Sequence, residues 1–117
     1  MNYGMFIDDE REPGKSLLEM DLAWVIARSS AGAISTMESM GCPSFISFDH
    51  DLGGDDTAMK VVNWMINEDL MQGRELGISF IEPGFAFCVH SQNPIGADNI
   101  QKLLQSYLNF RRIYGFN

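Results

Sequence analysis

The chain alternates short apolar runs with amphipathic helical patterns, and three of the apolar runs end in a burst of charge. The bursts are Asp8-Asp9-Glu10-Arg11-Glu12-Pro13 after Phe6-Ile7, Asp49-His50-Asp51-Leu52-Gly53-Gly54-Asp55-Asp56 after Phe48, and His90-Ser91-Gln92-Asn93-Pro94-Ile95-Gly96 after Val89. They hold both histidines and eight of the sixteen acidic residues. Strands that alternate with helices form βαβ units, and the carboxyl ends of parallel strands open onto one crevice. Three polar tips that meet there need protons, a cation or a ligand to offset their repulsion. The pattern therefore predicts an α/β fold with a metal or phosphate site.

Strands are expected at Met5–Ile7, Leu22–Ile26, Phe45–Phe48 and Phe85–Val89, with Ile78-Ser79-Phe80-Ile81 as a candidate edge strand. The third run is almost wholly apolar, as strands covered on both faces are. Residues 10–20 carry Pro13-Gly14 and leave room for one helical turn at most. Ser29-Ser30 caps a helix with Ala33, Ile34, Met37 and Met40 on one stripe, stopped by Gly41. Asp56 or Thr57 is expected to cap the next helix, along Val61, Val62, Met65, Ile66 and Leu70, with Gly73 as its end. Asn93-Pro94 opens the last helix, whose Ile100, Leu103, Leu104, Tyr107 and Leu108 recur at helical spacing. The expectation is one receiver-like α/β domain over 1–117, with a mostly parallel sheet of about four to five strands and helices on both faces.

The net charge of −8 argues against a long nucleic-acid footprint, which needs a basic stripe. A small phosphate ligand escapes that argument, because one cation and a few oriented N–H groups suffice to hold it. No stretch has the length and apolarity of a membrane span, and the N-terminus lacks a basic region and an apolar stretch of signal-peptide type, so the expectation is a cytoplasmic protein. Cys42 and Cys88 lack metal-ligand spacing and read as reduced, packed thiols.

Adjacent carboxylates at a strand end suit a hard cation such as Mg²⁺, directly or through its waters. Asp8, Asp9 and Asp51 are thus the candidate metal ligands, with magnesium or manganese the expected ion. His50 and His90 titrate near neutrality, and with Asp49 they are the candidate catalytic groups. Arg11, Ser91 and Asn93 are the candidate phosphate contacts, the last two because they open a helix N-terminus. His50-Asp51 also suggests HD-type phosphohydrolases, but those need more histidines than this chain has.

Phe6-Ile7-Asp8-Asp9-Glu10-Arg11, Ile46-Ser47-Phe48-Asp49-His50-Asp51-Leu52-Gly53 and Val89-His90-Ser91-Gln92-Asn93-Pro94, in this order, resemble the cyclic-phosphate processing receiver-like domain family. The resemblance implies a receiver-derived α/β fold and a ligand such as a cyclic nucleotide or an RNA end bearing a cyclic phosphate. It implies a site lined by Asp8, Asp9, Asp49, His50, Asp51, His90, Ser91 and Asn93. The chain departs from ordinary response-regulator receivers in lacking a Lys-Pro at the end of a last strand and in the short segment between its first two strands. Metal-dependent hydrolysis of a cyclic phosphate is the leading expectation. A module that senses or sequesters such a ligand is the alternative. A phospho-accepting receiver using Asp49 or Asp51 comes third.

Overall fold

The computed structural model describes residues 2–115. Four strands, β1 (Tyr3–Ile7), β2 (Ala23–Ala27), β3 (Phe45–Phe48) and β4 (Ala86–Val89), form one sheet in the order β2-β1-β3-β4. Every pairing is parallel, with Ile7 level with Ala27 on one side and Phe48 on the other. The chain order reverses between β1 and β3. That is the switch point at which an open α/β sheet leaves a crevice beyond its carboxyl edge. Asp8 and Asp49 are the first residues past those two strands.

Helices α1 (Lys15–Leu18), α2 (Ser30–Met40), α3 (Met59–Leu76) and α4 (Pro94–Tyr114) stand on both faces, very unequally. Tyr3, Met5 and Ile7 alternate onto one face beside Ile46 and Phe48, where they meet Ala33 and Met37 of α2, Val61, Val62 and Met65 of α3, and Ile100 and Leu104 of α4. The handedness of parallel crossovers accounts for this. The connections from β2 to β3 and from β3 to β4 both move one way across the sheet, so α2 and α3 share a face, and α4 packs beside α3. The connection from β1 to β2 moves the other way and holds only the single turn of α1. Trp24 lies over Gly4 on that thinly covered face and donates its indole N–H to the Leu17 carbonyl at 3.1 Å. A methyl on Gly4 would approach the Trp24 ring to 2.9 Å, so this close approach requires glycine.

Local signals predict the elements well where they are local. Ser29 caps α2 by accepting from Gly32 N–H, and Asn93 caps α4 by accepting from Gly96 N–H. Two expectations need correction. Neither Asp56 nor Thr57 caps α3, which starts after Ala58 without a side-chain cap. Asp56 instead accepts from the backbone N–H and the hydroxyl of Ser30 at the start of α2, and Thr57 bridges to Asp51. Gly73 does not stop α3, which runs to Leu76 and ends at Gly77 with φ +67°.

Residues 78–81 do not form an edge strand. Their backbone is used otherwise. Ile81 N–H donates to the Asp69 carboxylate at 2.8 Å, and the Ile81 carbonyl accepts from Arg111 at 2.6 Å. Asp69 is fully buried and also accepts from the Tyr107 hydroxyl at 2.6 Å, with Arg111 3.4 Å away. This node ties α3, α4 and the approach to β4 together. Burial and the Asp69 carboxylate both push the Tyr107 phenol well above its ordinary pKa, so it stays a hydrogen-bond donor.

Removing the carboxylate strands the Arg111 charge, the Tyr107 hydroxyl and the Ile81 amide together. Asp69→Ala should therefore cost about 3–5 kcal/mol, the range for breaking one side of a buried ion pair. Urea denaturation of the variant checks this; a loss under about 1 kcal/mol, the value of a surface pair, would mean the node carries no stability.

Candidate functional site

Parallel β1 and β3 set Asp8 and Asp49 side by side, and the turn out of β4 brings in His90. Among the described residues, these three offer ligand atoms that all lie within 4.8 Å of one another. Asp8 is fully buried and Asp49 nearly so.

Each oxygen of Asp8 has two partners. Oδ1 accepts from the backbone N–H groups of Glu10 at 3.0 Å and Arg11 at 2.8 Å. Oδ2 accepts from Arg11 Nε at 2.9 Å and meets His90 Nε2 at 3.0 Å. Burial alone would raise the Asp8 pKa. The two backbone amides, His90 and the guanidinium outweigh it and hold the carboxyl below its ordinary value. Asp49 differs. Among the described residues its carboxylate accepts no hydrogen bond and meets Arg11 Nη2 only as an ion pair at 3.6 Å.

His90 is fixed on three sides. Its ring stacks on Phe6, with centroids 4.5 Å apart and planes 3° from parallel. Nδ1 lies 2.6 Å from the hydroxyl of buried Ser47, and Nε2 points to Asp8. Cys88 Sγ in turn donates to Ser47 Oγ at 3.3 Å. Arg28, from the end of β2, donates to the carbonyls of Asp8 and Arg11 and so pins the backbone of this turn.

Outside the cluster is an open cleft of about 550 Å³, lined by Asp9, Arg11, Asp49, Asp51, Ser91, Asn93 and their neighbours. Asp9 is exposed at its rim, facing Gly53. Asp51 is also exposed. Its Oδ1 pairs with His50 Nδ1 at 3.0 Å, and Oδ2 accepts from Asn93 at 3.3 Å. The hydrogen bond from His50, then that from Asn93, hold the Asp51 carboxyl below its ordinary pKa. Ser91 Oγ accepts from Asn93 N–H, and Asn93 Oδ1 from Gly96 N–H, so both side chains are engaged in opening α4. His50 does not line the cleft. Its ring lies against Gly96, where a Cβ would come within 2.3 Å of His50 Cγ.

The expected site residues thus divide into two layers. Asp8, Asp49, His90 and Arg11 form an inner cluster, while Asp9, Asp51, Ser91 and Asn93 rim the cleft and His50 braces the rim from behind. The donor set of two carboxylates and an imidazole fits a hard or borderline divalent cation. Both imidazole nitrogens are already engaged, with Ser47 and Asp8, so the oxygen pair is what would hold magnesium or manganese. Ser47, Phe6 and Arg28 support the cluster without being among the residues expected there. Ser47 carried a signal, as the one polar residue inside an apolar strand.

A family model for the cyclic-phosphate processing receiver domain matches residues 3–106. The chain belongs to that family. The match runs from the first residue of β1 into α4 and so takes in every residue of both layers. Neither the curated proteins nor the solved structures contain a match to this receiver domain.

Two outcomes follow from the geometry. The folded pKa of Asp8 lies below that of the unfolded chain, about 3.9, so its contribution to stability is complete above that pH and is lost as pH falls through the folded pKa. Denaturation between pH 2 and 6 should accordingly show a shallower acid slope for Asp8→Asn than for wild type; parallel slopes would contradict the assignment. Gly96→Ala must push His50 off α4 and should cost about 1–3 kcal/mol, the range for overpacking, read from the thermal midpoint.

Proposed function

We propose that this receiver domain hydrolyses a cyclic-phosphate ester with the help of a divalent cation. The observation that supports this most is the convergence of Asp8, Asp49 and His90 within 4.8 Å at the switch-point crevice, beneath a polar cleft. Asp8 and Asp49 would hold magnesium or manganese, and the cation when bound supplies charge neutralisation at the phosphoryl oxygens and activates water.

The rest of the chemistry belongs to side chains. Arg11 is the cationic side chain that lines the cleft, and its planar fork suits a phosphate oxygen pair. Water attacks phosphorus, one ring P–O bond breaks, and the leaving oxygen takes a proton. His90, held by Ser47 and Phe6, would supply that proton from Nε2, now shared with Asp8, and take back the one that the attacking water loses. The product is a phosphomonoester with a free hydroxyl. Asp51, braced by His50 and Asn93, shapes the rim against which the organic part of the ligand rests. A cyclic nucleotide or an RNA end carrying a cyclic phosphate has the required group.

One observation favours a second reading, a module that binds such a ligand without turnover. Both ring nitrogens of His90 are already engaged, with Ser47 and Asp8, and His50 stands away from the cleft. A binding module needs no nitrogen free for proton transfer.

The two readings separate in one comparison. With a nucleoside 2′,3′-cyclic phosphate and Mn²⁺, His90→Ala should lower the single-turnover rate by on the order of a hundredfold, the scale of a lost general acid, and change affinity much less. His50→Ala should have the smaller effect on rate. Binding by wild type with no product across a panel of cyclic phosphates would replace the enzyme by the sensor.

A further inference from the structure

Asp8 has no lone pair to spare. A carboxylate has about four acceptor sites, and the two backbone amides, Arg11 Nε and His90 Nε2 account for four. A cation can reach Asp8 only by displacing one of them. The amides are fixed, because Arg28 holds the carbonyls of Asp8 and Arg11. His90 is fixed by Phe6 and Ser47. The Arg11 side chain is the exception, being 44% exposed on a flexible stem.

The guanidinium also stands in a telling place. It reaches Asp8 Oδ2 through Nε at 2.9 Å and Asp49 Oδ2 through Nη2 at 3.6 Å, and so spans the two carboxylates that would hold a cation. We propose that Arg11 is an internal counter-ion that a divalent cation must displace, and that the displaced guanidinium then binds the phosphate. This rests on the reading of Asp8 and Asp49 as cation ligands.

Charge balance makes the exchange a coupling device. Two carboxylates with one guanidinium carry −1. Two carboxylates with a divalent cation are neutral, and the released guanidinium adds a positive charge that an anion satisfies. Arg11 already lines the cleft beside Ser91 and Asn93, so it reaches a phosphate there by side-chain rotation. Cation and phosphate should therefore each tighten the binding of the other, by the same factor. Without phosphate, the cation competes with Arg11 and binds weakly.

The test is calorimetric titration of Mn²⁺ into wild type, Arg11→Gln and Arg11→Lys, each with and without inorganic phosphate. Without phosphate, Arg11→Gln should bind Mn²⁺ about tenfold or more tighter than wild type. Phosphate should tighten Mn²⁺ binding to wild type by about fivefold or more, within the usual span of coupling energies, and do little in Arg11→Gln. Arg11→Lys keeps the charge without the fork and should fall between. Equal or weaker Mn²⁺ binding by Arg11→Gln, with wild type still binding, overturns the exchange and leaves the cation reading intact. No binding by any protein under any condition overturns the cation reading and the exchange together. A measurement on wild type avoids dependence on variant folding. The NMR signal of Arg11 Nε–H should shift saturably as Mg²⁺ is added, and a signal unmoved at saturation overturns the exchange.

Discussion

Asp8 is a fully buried carboxylate, and the geometry of the site follows from how that burial is tolerated. An ionised group out of water needs a donor for nearly every lone pair. Asp8 has two from its own turn, one from Arg11 and one from His90, 82 residues on. Satisfying it folds the 8–11 turn tightly over the end of β1 and fixes the rotamer of His90. It also draws a guanidinium against Asp49. The remaining pieces act on this arrangement at one remove: Arg28 locks the turn, Ser47 and Phe6 lock the imidazole.

The sheet makes that arrangement available. Parallel pairing of β1 with β3, in register from Gly4–Phe45 to Ile7–Phe48, is what puts Asp8 beside Asp49. Three long helices on one face supply the core, while the other face carries the one-turn α1 together with Trp24 against Gly4 and Phe45 and the Phe6–His90 stack. His90, Ser47 and Cys88 reach that thinly covered face, so the chain can build a polar relay behind the site without burying it under a helix.

A net charge of −8 and a phosphate ligand are compatible for a local reason. Long-range repulsion is screened over about 10 Å at ordinary salt, whereas a guanidinium or a divalent cation acts at contact distance. Arg11 and Arg28 both sit at the crevice, Arg28 over backbone carbonyls and Arg11 over the carboxylates with one long contact to the His90 carbonyl at 3.5 Å. They differ in freedom. Arg28 serves the backbone and sets the shape; Arg11 faces the cleft and can exchange partners.

The sequence by itself determined what depends on neighbours a few residues away. Its alternation of runs implied the α/β fold, Ser29 and Asn93-Pro94 marked helix starts, and the three charged tips marked the crevice where the candidate residues meet, because capping, periodicity and turn chemistry are local. Tertiary structure decided everything whose partner is distant. Ile81 lies in no strand because Asp69 and Arg111, from two helices, take its amide and carbonyl. Asp56 accepts from Ser30 at the start of α2, 26 residues back, and does not cap the helix that follows it. Asp49 and Asp51 are two residues apart, yet one enters the inner cluster and the other the rim, while His50 between them turns under Gly96. Spacing along a chain cannot rank such residues, since a carboxylate's role depends on which donors from other elements reach it once it has left water.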